Sequence, residues 1–173
     1  MNEEKLPQLF MRRKQLYDLP EIQLPGEFTL RHFADGDEAC WERIIKTTLF
    51  PMKFDEGIKN EPFYKPERVW FICHGGTPIA TATAWLYDKS PDSTGYVHMV
   101  GAMPEWKGRG LGYQISLAAL HEMKRDGKTD AVLHTDDFRL AAVKIYLSLG
   151  FEPEMNHESH ESRWEQVYQQ LNG

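Results

Sequence analysis

The chain is best understood from one short stretch, Lys107-Gly108-Arg109-Gly110-Leu111-Gly112, which holds three glycines and two cations in six residues. A segment typical of a strand precedes this glycine turn, and a segment typical of a helix follows it. Glycines let backbone N–H groups approach a ligand closely, and the N-terminus of a helix carries about half a positive charge. The stretch therefore has the properties of a phosphate or pyrophosphate site.

Taken alone, the glycine turn has two interpretations. It is either an anion site or a purely structural turn with a solvated lysine and arginine. It lacks the Gly-Lys-Ser or Gly-Lys-Thr ending of a P-loop, and it lacks the Gly-x-Gly-x-x-Gly spacing of a dinucleotide-binding fold. The choice between the two depends on the rest of the chain.

Around the turn, hydrophobic patterning predicts a mixture of strands and helices. Strands rich in β-branched and aromatic residues are predicted at Phe28 to Phe33, Val69 to Cys73, Pro78 to Leu86, Tyr96 to Ala102, Ala131 to Thr135 and Phe151 to Met155. Helices are predicted from the Asp35–Asp37 cap to Leu49, from Gly110 to Arg125, from Asp136 or Asp137 to Gly150, and from Ser162 to Leu171. The Gly75-Gly76 pair predicts a hairpin between two of the strands.

Two segments carry no such pattern. Residues 1–27 are expected to be an irregular N-terminal arm that prolines interrupt, with room for a short helix only around Phe10 to Tyr17. The connection from Phe50 to Arg68 is long, and loops of this length are usually functional or disordered. The remainder, 28–173, is predicted to be a single domain.

Composition narrows the class of protein. The 173 residues carry 20 Lys and Arg against 26 Asp and Glu, a net charge of −6, which disfavours a general nucleic-acid binder. Two cysteines, Cys40 and Cys73, cannot form a disulfide framework and indicate a reducing compartment. No apolar run is long enough to cross a membrane or to serve as a signal peptide, so a cytoplasmic protein is expected.

A second pattern follows the glycine turn: Ala142, then Tyr146, then Gly150-Phe151, each four residues after the last. Together the two halves resemble the GNAT superfamily of acyl-CoA-dependent N-acetyltransferases. The glycine turn is similar to that family's Gln/Arg-x-x-Gly-x-Gly/Ala motif. The second pattern is similar to its Asn-x-x-Ala-x-x-x-Tyr-x-x-x-Gly-Phe motif, and the likeness spans about Phe28 to Phe151.

This resemblance implies a fold of the α/β (α+β) class. The family has a central mixed, mostly antiparallel sheet of six or seven strands, with helices on both faces. Two neighbouring parallel strands splay apart, here those of Tyr96 to Ala102 and Ala131 to Thr135. The thioester of acetyl-CoA is expected in the gap.

By the same resemblance, acetyl-CoA is the co-substrate. The backbone of Val100, Gly101 and Ala102 would pair with its pantetheine arm, and Ala142 would leave room for that arm. The residues expected to hold the pyrophosphate are Lys107, Gly108, Arg109, Gly110, Leu111, Gly112 and Tyr113.

Two positions depart from the family pattern. Lys107 stands where Gln or Arg is usual, and a lysine lacks the planar fork of arginine, so its phosphate contact is less directional. Arg139 stands where Asn is frequent. Arg139 is either a second cation for the cofactor phosphates or a solvated residue in the first turn of its helix.

Three side chains are candidates for catalysis. Tyr146 suits the general acid, since a phenol with a pKa near 10 stays protonated and can donate to the departing thiolate. His98 falls where arylalkylamine-type members carry a catalytic histidine, and it shares strand parity with Val100 and Ala102. His134 falls where members acting on protein N-termini carry a glutamate base. Either histidine is a candidate base, and a structural role remains open for each.

Two further histidine clusters resemble metal sites. His157-Glu158-Ser159-His160 and His121-Glu122 do not form His-Glu-x-x-His and lack a convincing third ligand. They are interpreted as a polar loop and a helix surface, and no metal is predicted.

The acceptor is expected to be an amine of a small molecule or a peptide, held by the connection Phe50 to Arg68, the strand ends and the C-terminal tail. Asp55 and Glu56 either attract a cationic acceptor or are merely solvated.

The alternatives left open are a larger acyl group, a non-amine acceptor, a non-catalytic CoA sensor and nucleotide binding at the turn. The aromatic residues Phe54, Phe63, Tyr64 and Trp85 line an acceptor pocket or belong to the core. A monomer or homodimer is expected.

Overall fold

The computed structural model describes residues 5–87 and 92–173. From Phe28 onward, strands and helices form in the order predicted from the sequence. The strands are β1 Leu9–Arg13, β2 Phe28–His32, β3 Val69–His74, β4 Thr77–Leu86, β5 Thr94–Ala102, β6 Asp130–Thr135 and β7 Glu152–Pro153. The helices are α1 Glu38–Thr48, α2 Leu111–Arg125, α3 Leu140–Ser148 and α4 His160–Asn172, with short helical turns at Asp55–Lys59, Pro66–Arg68 and Pro104–Trp106.

The sheet has the order β2-β3-β4-β5-β6-β1-β7. Its neighbours run antiparallel except β5 and β6, which are parallel. This confirms the predicted mixed, mostly antiparallel sheet with one parallel pair. Parallel strands need a crossover connection, and α2 supplies it between β5 and β6.

The parallel ladder between β5 and β6 is short. Its last pair is Tyr96 with Val132, although both strands continue. Beyond Tyr96, the edge of β5 that faces β6 has no strand partner within the described ranges. The two strands therefore separate, as the resemblance implied.

A β-bulge interrupts β5 at this same place. Thr83 pairs with His98 and Thr81 pairs with Gly101, so three steps on β5 oppose two steps on β4. Met99 has a φ of +49° and is the extra residue. Because side chains alternate along a strand, an odd insertion reverses which face the later residues occupy.

Helices cover both faces of the sheet. A Cβ atom built on Gly95 would meet Met123 of α2, whereas one built on Gly101 would meet Thr48 and Ile44 of α1. Gly95 and Gly101 have the same parity in sequence, but the bulge places them on opposite faces. Helices α1 and α2 therefore lie on opposite sides of β5.

The expectation of an irregular N-terminal arm is wrong for Leu9–Arg13. This segment forms β1, inserted between β6 and β7, and Leu9, Phe10 and Met11 are buried. Arg12 of β1 also forms an ion pair with Asp130 on β6. The short helix considered around Phe10 to Tyr17 does not form, because the backbone instead pairs with two neighbouring strands.

The helix after β6 starts later than expected. Arg139 occupies the N-cap position of α3, so neither Asp136 nor Asp137 caps it. Asp137 instead forms a bidentate pair with Arg163 of α4, at 2.5 and 2.7 Å. Asp136 bonds Arg139 and Gln8.

Candidate active site

A cavity of about 890 Å³ opens where β5 and β6 separate. Its walls come from β5, from the end of β6, from α2 and α3, from the end of α1 with the residues after it, and from the segment that precedes β1. The lining residues of β5 are Tyr96 to Ala102, and those of the last segment are Lys5 to Gln8.

Most of the residues singled out from the sequence meet in this cavity. The three catalytic candidates His98, His134 and Tyr146 line it. So do six of the expected cofactor residues, namely Val100, Gly101, Ala102, Gly112, Arg139 and Ala142. The other six, Lys107, Gly108, Arg109, Gly110, Leu111 and Tyr113, are not lining residues and belong to the glycine turn and the start of α2.

The glycine turn needs glycine at two positions. Gly108 has a φ of +84° and Gly110 a φ of +74°, in a region that side chains disfavour. Gly110 is the N-cap residue of α2, so the first N–H groups of that helix follow directly. At Gly112 a Cβ atom would lie 2.8 Å from Ile145 Cδ1, so this glycine allows α2 and α3 to approach each other.

The two cations of the turn differ in their surroundings. The Arg109 guanidinium bonds the Glu27 carboxylate at 2.7 Å. The Lys107 side chain is exposed, and within the described ranges it forms no hydrogen bond or ion pair. Lys107 is therefore the cation that an incoming anion meets without displacing a partner.

Tyr146 projects from α3 into the cavity. Only 8% of the residue is exposed, and its ring packs edge-to-face against Phe151 at 6.0 Å. Burial raises the pKa of the Tyr146 phenol well above its ordinary value, and nearby Arg139 opposes this only in part. The hydroxyl is therefore protonated at neutral pH and able to donate.

His98 lies on the face of β5 that carries α1. Its ring stacks on Trp85 at 5.7 Å, and the carbonyl of Gly57 accepts a hydrogen bond from it. Burial lowers the pKa of His98 to about 4, so the ring is neutral at physiological pH. The expected shared parity with Val100 and Ala102 is wrong, because the Met99 bulge turns those two residues to the opposite face.

His134 on β6 forms the other side of this wall. Its Nδ1 lies 2.8 Å from the hydroxyl of Tyr96 on β5, and its ring packs against Phe10 at 5.0 Å. Burial raises the pKa of Tyr96 to about 12. The sequence analysis missed Tyr96, although its spacing of two from His98 placed both on one face of a strand.

Arg139 does not extend along its helix toward the glycine turn. Its Nε donates to Asp136 at 2.9 Å, and its Nη1 donates to the carbonyl of Thr48 at 3.0 Å, at the end of α1. The guanidinium also lies over the ring of Phe138. These contacts hold Arg139 at the wall between α1 and α3.

Most of the residues that the sequence analysis expected to hold the acceptor do not line the cavity. Of the connection Phe50 to Arg68, only Phe50 is a lining residue, and the described C-terminal tail contributes none. Phe54 is fully buried and stacks on Phe33 at 4.5 Å, and the aromatic residues Phe63, Tyr64 and Trp85 also pack against the core or belong to it. The segment Lys5 to Gln8 takes the expected place at the mouth.

The interpretation of the two histidine clusters as a polar loop and a helix surface also needs correction. His160 is fully buried at the start of α4, because its spacing with Trp164 and Val167 places all three on the inner face of that helix. Glu122 is buried too and bonds Arg125. Within residues 5–87 and 92–173, no three His, Cys, Asp or Glu side chains are grouped as metal ligands. In the same part of the chain, no helix is long and apolar enough to span a membrane.

Comparison with solved structures supports the fold. A GCN5-related N-acetyltransferase from Sphaerobacter thermophilus superposes with a TM-score of 0.67 at 19% identity, covering 86% of this chain and 50% of that one. A protein from Mycobacterium tuberculosis, solved in complex with CoA and NLQ, has a TM-score of 0.59 at 12% identity, covering 82% and 81%. At these identities the likeness is one of fold.

Sequence relatives extend the comparison. The mycothiol acetyltransferase of Thermomonospora curvata is 30% identical over 83% of this chain and 51% of its own length. That of Thermobispora bispora is 29% identical over 82% and 52%. The chain thus spans about half the length of these relatives.

The family model of the acetyltransferase (GNAT) family matches residues 30–151. The matched range runs from within β2 to Phe151, three residues after the end of α3, and it includes the glycine turn, the splayed strands and Tyr146. Sequence, topology and cavity agree, and the chain belongs to the acetyltransferase (GNAT) family.

Proposed function

We propose that the chain is an acetyl-CoA-dependent N-acetyltransferase that moves an acetyl group directly to an amine of a small molecule. The observation that carries this proposal is the cavity between the splayed strands, which is lined both by the buried phenol of Tyr146 and by the part of β5 beyond its last pair with β6. Family membership and the named activity of the relatives support it.

The cavity fits the proposed co-substrate. Beyond Tyr96 the N–H and C=O groups along one edge of β5 lack a strand partner within the described ranges, and the pantetheine arm carries amides that can pair with them. At the start of α2, the glycine turn offers N–H groups and the Lys107 ammonium to phosphates. Bound there, acetyl-CoA supplies the activated acyl group.

The residues of the chain then supply proton transfers. Tyr146 holds a proton at Oη that it can give to the departing sulfur. His98 and His134 flank the acceptor side, and a neutral imidazole accepts a proton from an amine.

The first test is thermal unfolding with saturating acetyl-CoA, with ATP as control. A ligand at about 100 times its dissociation constant stabilises by about 2.7 kcal/mol, which moves the midpoint of a domain this size by about 5 to 11 °C. We expect this shift with acetyl-CoA and none with ATP. Thiol release is then measured with L-serine, glucosamine and phenethylamine as acceptors.

Each outcome has a distinct meaning. A shift without thiol release from any amine would favour a non-catalytic CoA sensor. A shift with a longer acyl-CoA but not with acetyl-CoA would favour a larger acyl group. An equal shift with ATP would favour nucleotide binding at the glycine turn and contradict the proposal.

Lys107→Met should weaken acetyl-CoA binding about tenfold, or about 1.4 kcal/mol, because it removes a cation at the proposed phosphate site that has no ion pair within residues 5–87 and 92–173. The loss should shrink at high salt. Arg109→Met is the matched control and should cost less, because Glu27 already neutralises that guanidinium. Titration calorimetry at two salt concentrations measures both. Equal effects of the two substitutions would contradict the assignment of Lys107.

A further inference from the structure

Tyr96 and His134 form a hydrogen-bonded pair in the wall of the cavity. The Tyr96 Oη lies 2.8 Å from His134 Nδ1, although the residues belong to different strands. Both residues line the cavity. The pair sits just where the β5–β6 ladder ends, since Tyr96 is in its last residue pair.

The pair is held in place from several sides. Tyr87 stacks on Tyr96 at 5.7 Å with nearly parallel rings, and Phe10 packs edge-on against His134 at 5.0 Å. Tyr96 and His134 have little freedom to move within these contacts. A fixed donor and acceptor at this distance suit rapid proton transfer.

Other groups around the cavity are less suited to accept a proton. Within the described ranges, Asp136 is the only carboxylate among the lining residues, and it bonds both Arg139 and Gln8. His98 is enclosed by Trp85 and by the Gly57 carbonyl, and its pKa of about 4 makes it a weak base.

We propose that Tyr96 and His134 act together as a proton relay for the acceptor amine. This inference rests on the proposed function and names the base of that same site. Tyr96 is the group that touches the amine, and His134 acts through Tyr96. The O–H of Tyr96 donates to Nδ1 of His134, which leaves a phenol oxygen lone pair for the amine proton.

The step balances without any other reagent. As the amine nitrogen bonds to the acyl carbon, one of its N–H protons moves to Tyr96 Oη. The proton of Tyr96 moves to His134 Nδ1, which becomes an imidazolium. The bond from the acyl carbon to sulfur breaks, and the sulfur takes the proton of Tyr146. His134 then releases a proton to solvent, and Tyr146 regains one.

The experiment compares Tyr96→Phe, His134→Gln and the double variant, using the most active amine of the panel above. Each single substitution should lower kcat about 10²-fold and should remove the limb of the pH profile that reports His134. The double variant should be no slower than the slower single variant, because either change already breaks the relay. Tyr17→Phe is the control, because this tyrosine is 73% exposed and does not line the cavity, and it should keep the wild-type kcat and pH profile.

The pH profile is interpreted with the other ionisable groups that face the pair. Among the residues that the structure describes, these come from α3 and the residues before it, from β5, from the residue after β4 and from the segment before β1, namely Asp136, Arg139, Tyr146, His98, Tyr87 and Lys5. They remain in all four variants. A limb lost only in the Tyr96 and His134 variants is therefore assigned to the relay.

Acetyl-CoA-induced thermal stabilisation of each variant separates failure of the relay from failure of the proposed function. Retained stabilisation with a wild-type kcat and pH profile in Tyr96→Phe would overturn the relay alone. The relay would also be overturned if the loss of kcat in the double variant equalled the product of the losses in the two single variants. Absence of transfer by the wild-type chain would overturn the proposed function, and the relay with it.

Discussion

Replacing Tyr146 with Phe should lower kcat by about 10² to 10⁴ while leaving the affinity for acetyl-CoA unchanged. The substitution removes one hydroxyl and keeps the ring, so the packing against Phe151 is preserved. What is lost is the proton donor to the departing sulfur, and general acid catalysis contributes a factor of this size. Steady-state kinetics and calorimetric titration with acetyl-CoA measure the two quantities separately.

The control for this substitution is Tyr168→Phe on α4, where the tyrosine is 39% exposed and does not line the cavity. It should leave both quantities unchanged. An unaltered kcat in Tyr146→Phe would show that the thiolate leaves without this donor. A large loss of acetyl-CoA affinity would instead assign Tyr146 to binding.

Phe54→Ala should lower the free energy of unfolding by about 3 to 5 kcal/mol. Phe54 is fully buried, stacks on Phe33 at 4.5 Å and meets Trp41 edge-on at 5.3 Å. Its removal leaves a cavity between α1 and the helical turn Asp55–Lys59, and neither can close over it easily. Urea denaturation followed by tryptophan fluorescence gives the difference.

Phe138→Ala provides the comparison for the same chemical change. Phe138 is 77% exposed, and substitutions at such positions usually stay within about 0.5 kcal/mol. A similar loss for both variants would mean that Phe54 does not form part of the cooperative core.

Local pattern predicted most of the fold. The hairpin at Gly75-Gly76 forms where the glycine pair indicated, since both residues have positive φ values. Helix α1 buries Trp41, Ile44 and Ile45, the spacing expected of its inner side. These features depend on residues close together in sequence, and sequence patterns report them well.

Strand β1 was missed because its pattern is not local. Leu9 to Arg13 shows no alternation of apolar and polar residues, and Pro7 lies two residues before it. It is a strand because β6 and β7 provide partners on both sides, and those lie more than a hundred residues away. Tertiary pairing overrides weak local preference in such cases.

The residues of the proposed cofactor half of the site were easier to predict from the sequence than those of the proposed acceptor half. The glycine turn and Tyr146 carry family spacing, so their positions were readable. The pairing of Tyr96 with His134 depends on the register between β5 and β6, and no motif encodes it. The role of Lys5 to Gln8 at the mouth follows from where β1 enters the sheet.

The extra residue at Met99 has a consequence for how this gene can change. The number of residues in β5 determines which face of the sheet each of its side chains occupies, because side chains alternate along the strand. Exchange of a side chain alters one contact. Loss or gain of a single codon there would turn Tyr96 and His98 to the wrong side relative to Val100 and Ala102. Descendants of this sequence should therefore vary in the composition of β5 far more freely than in its length.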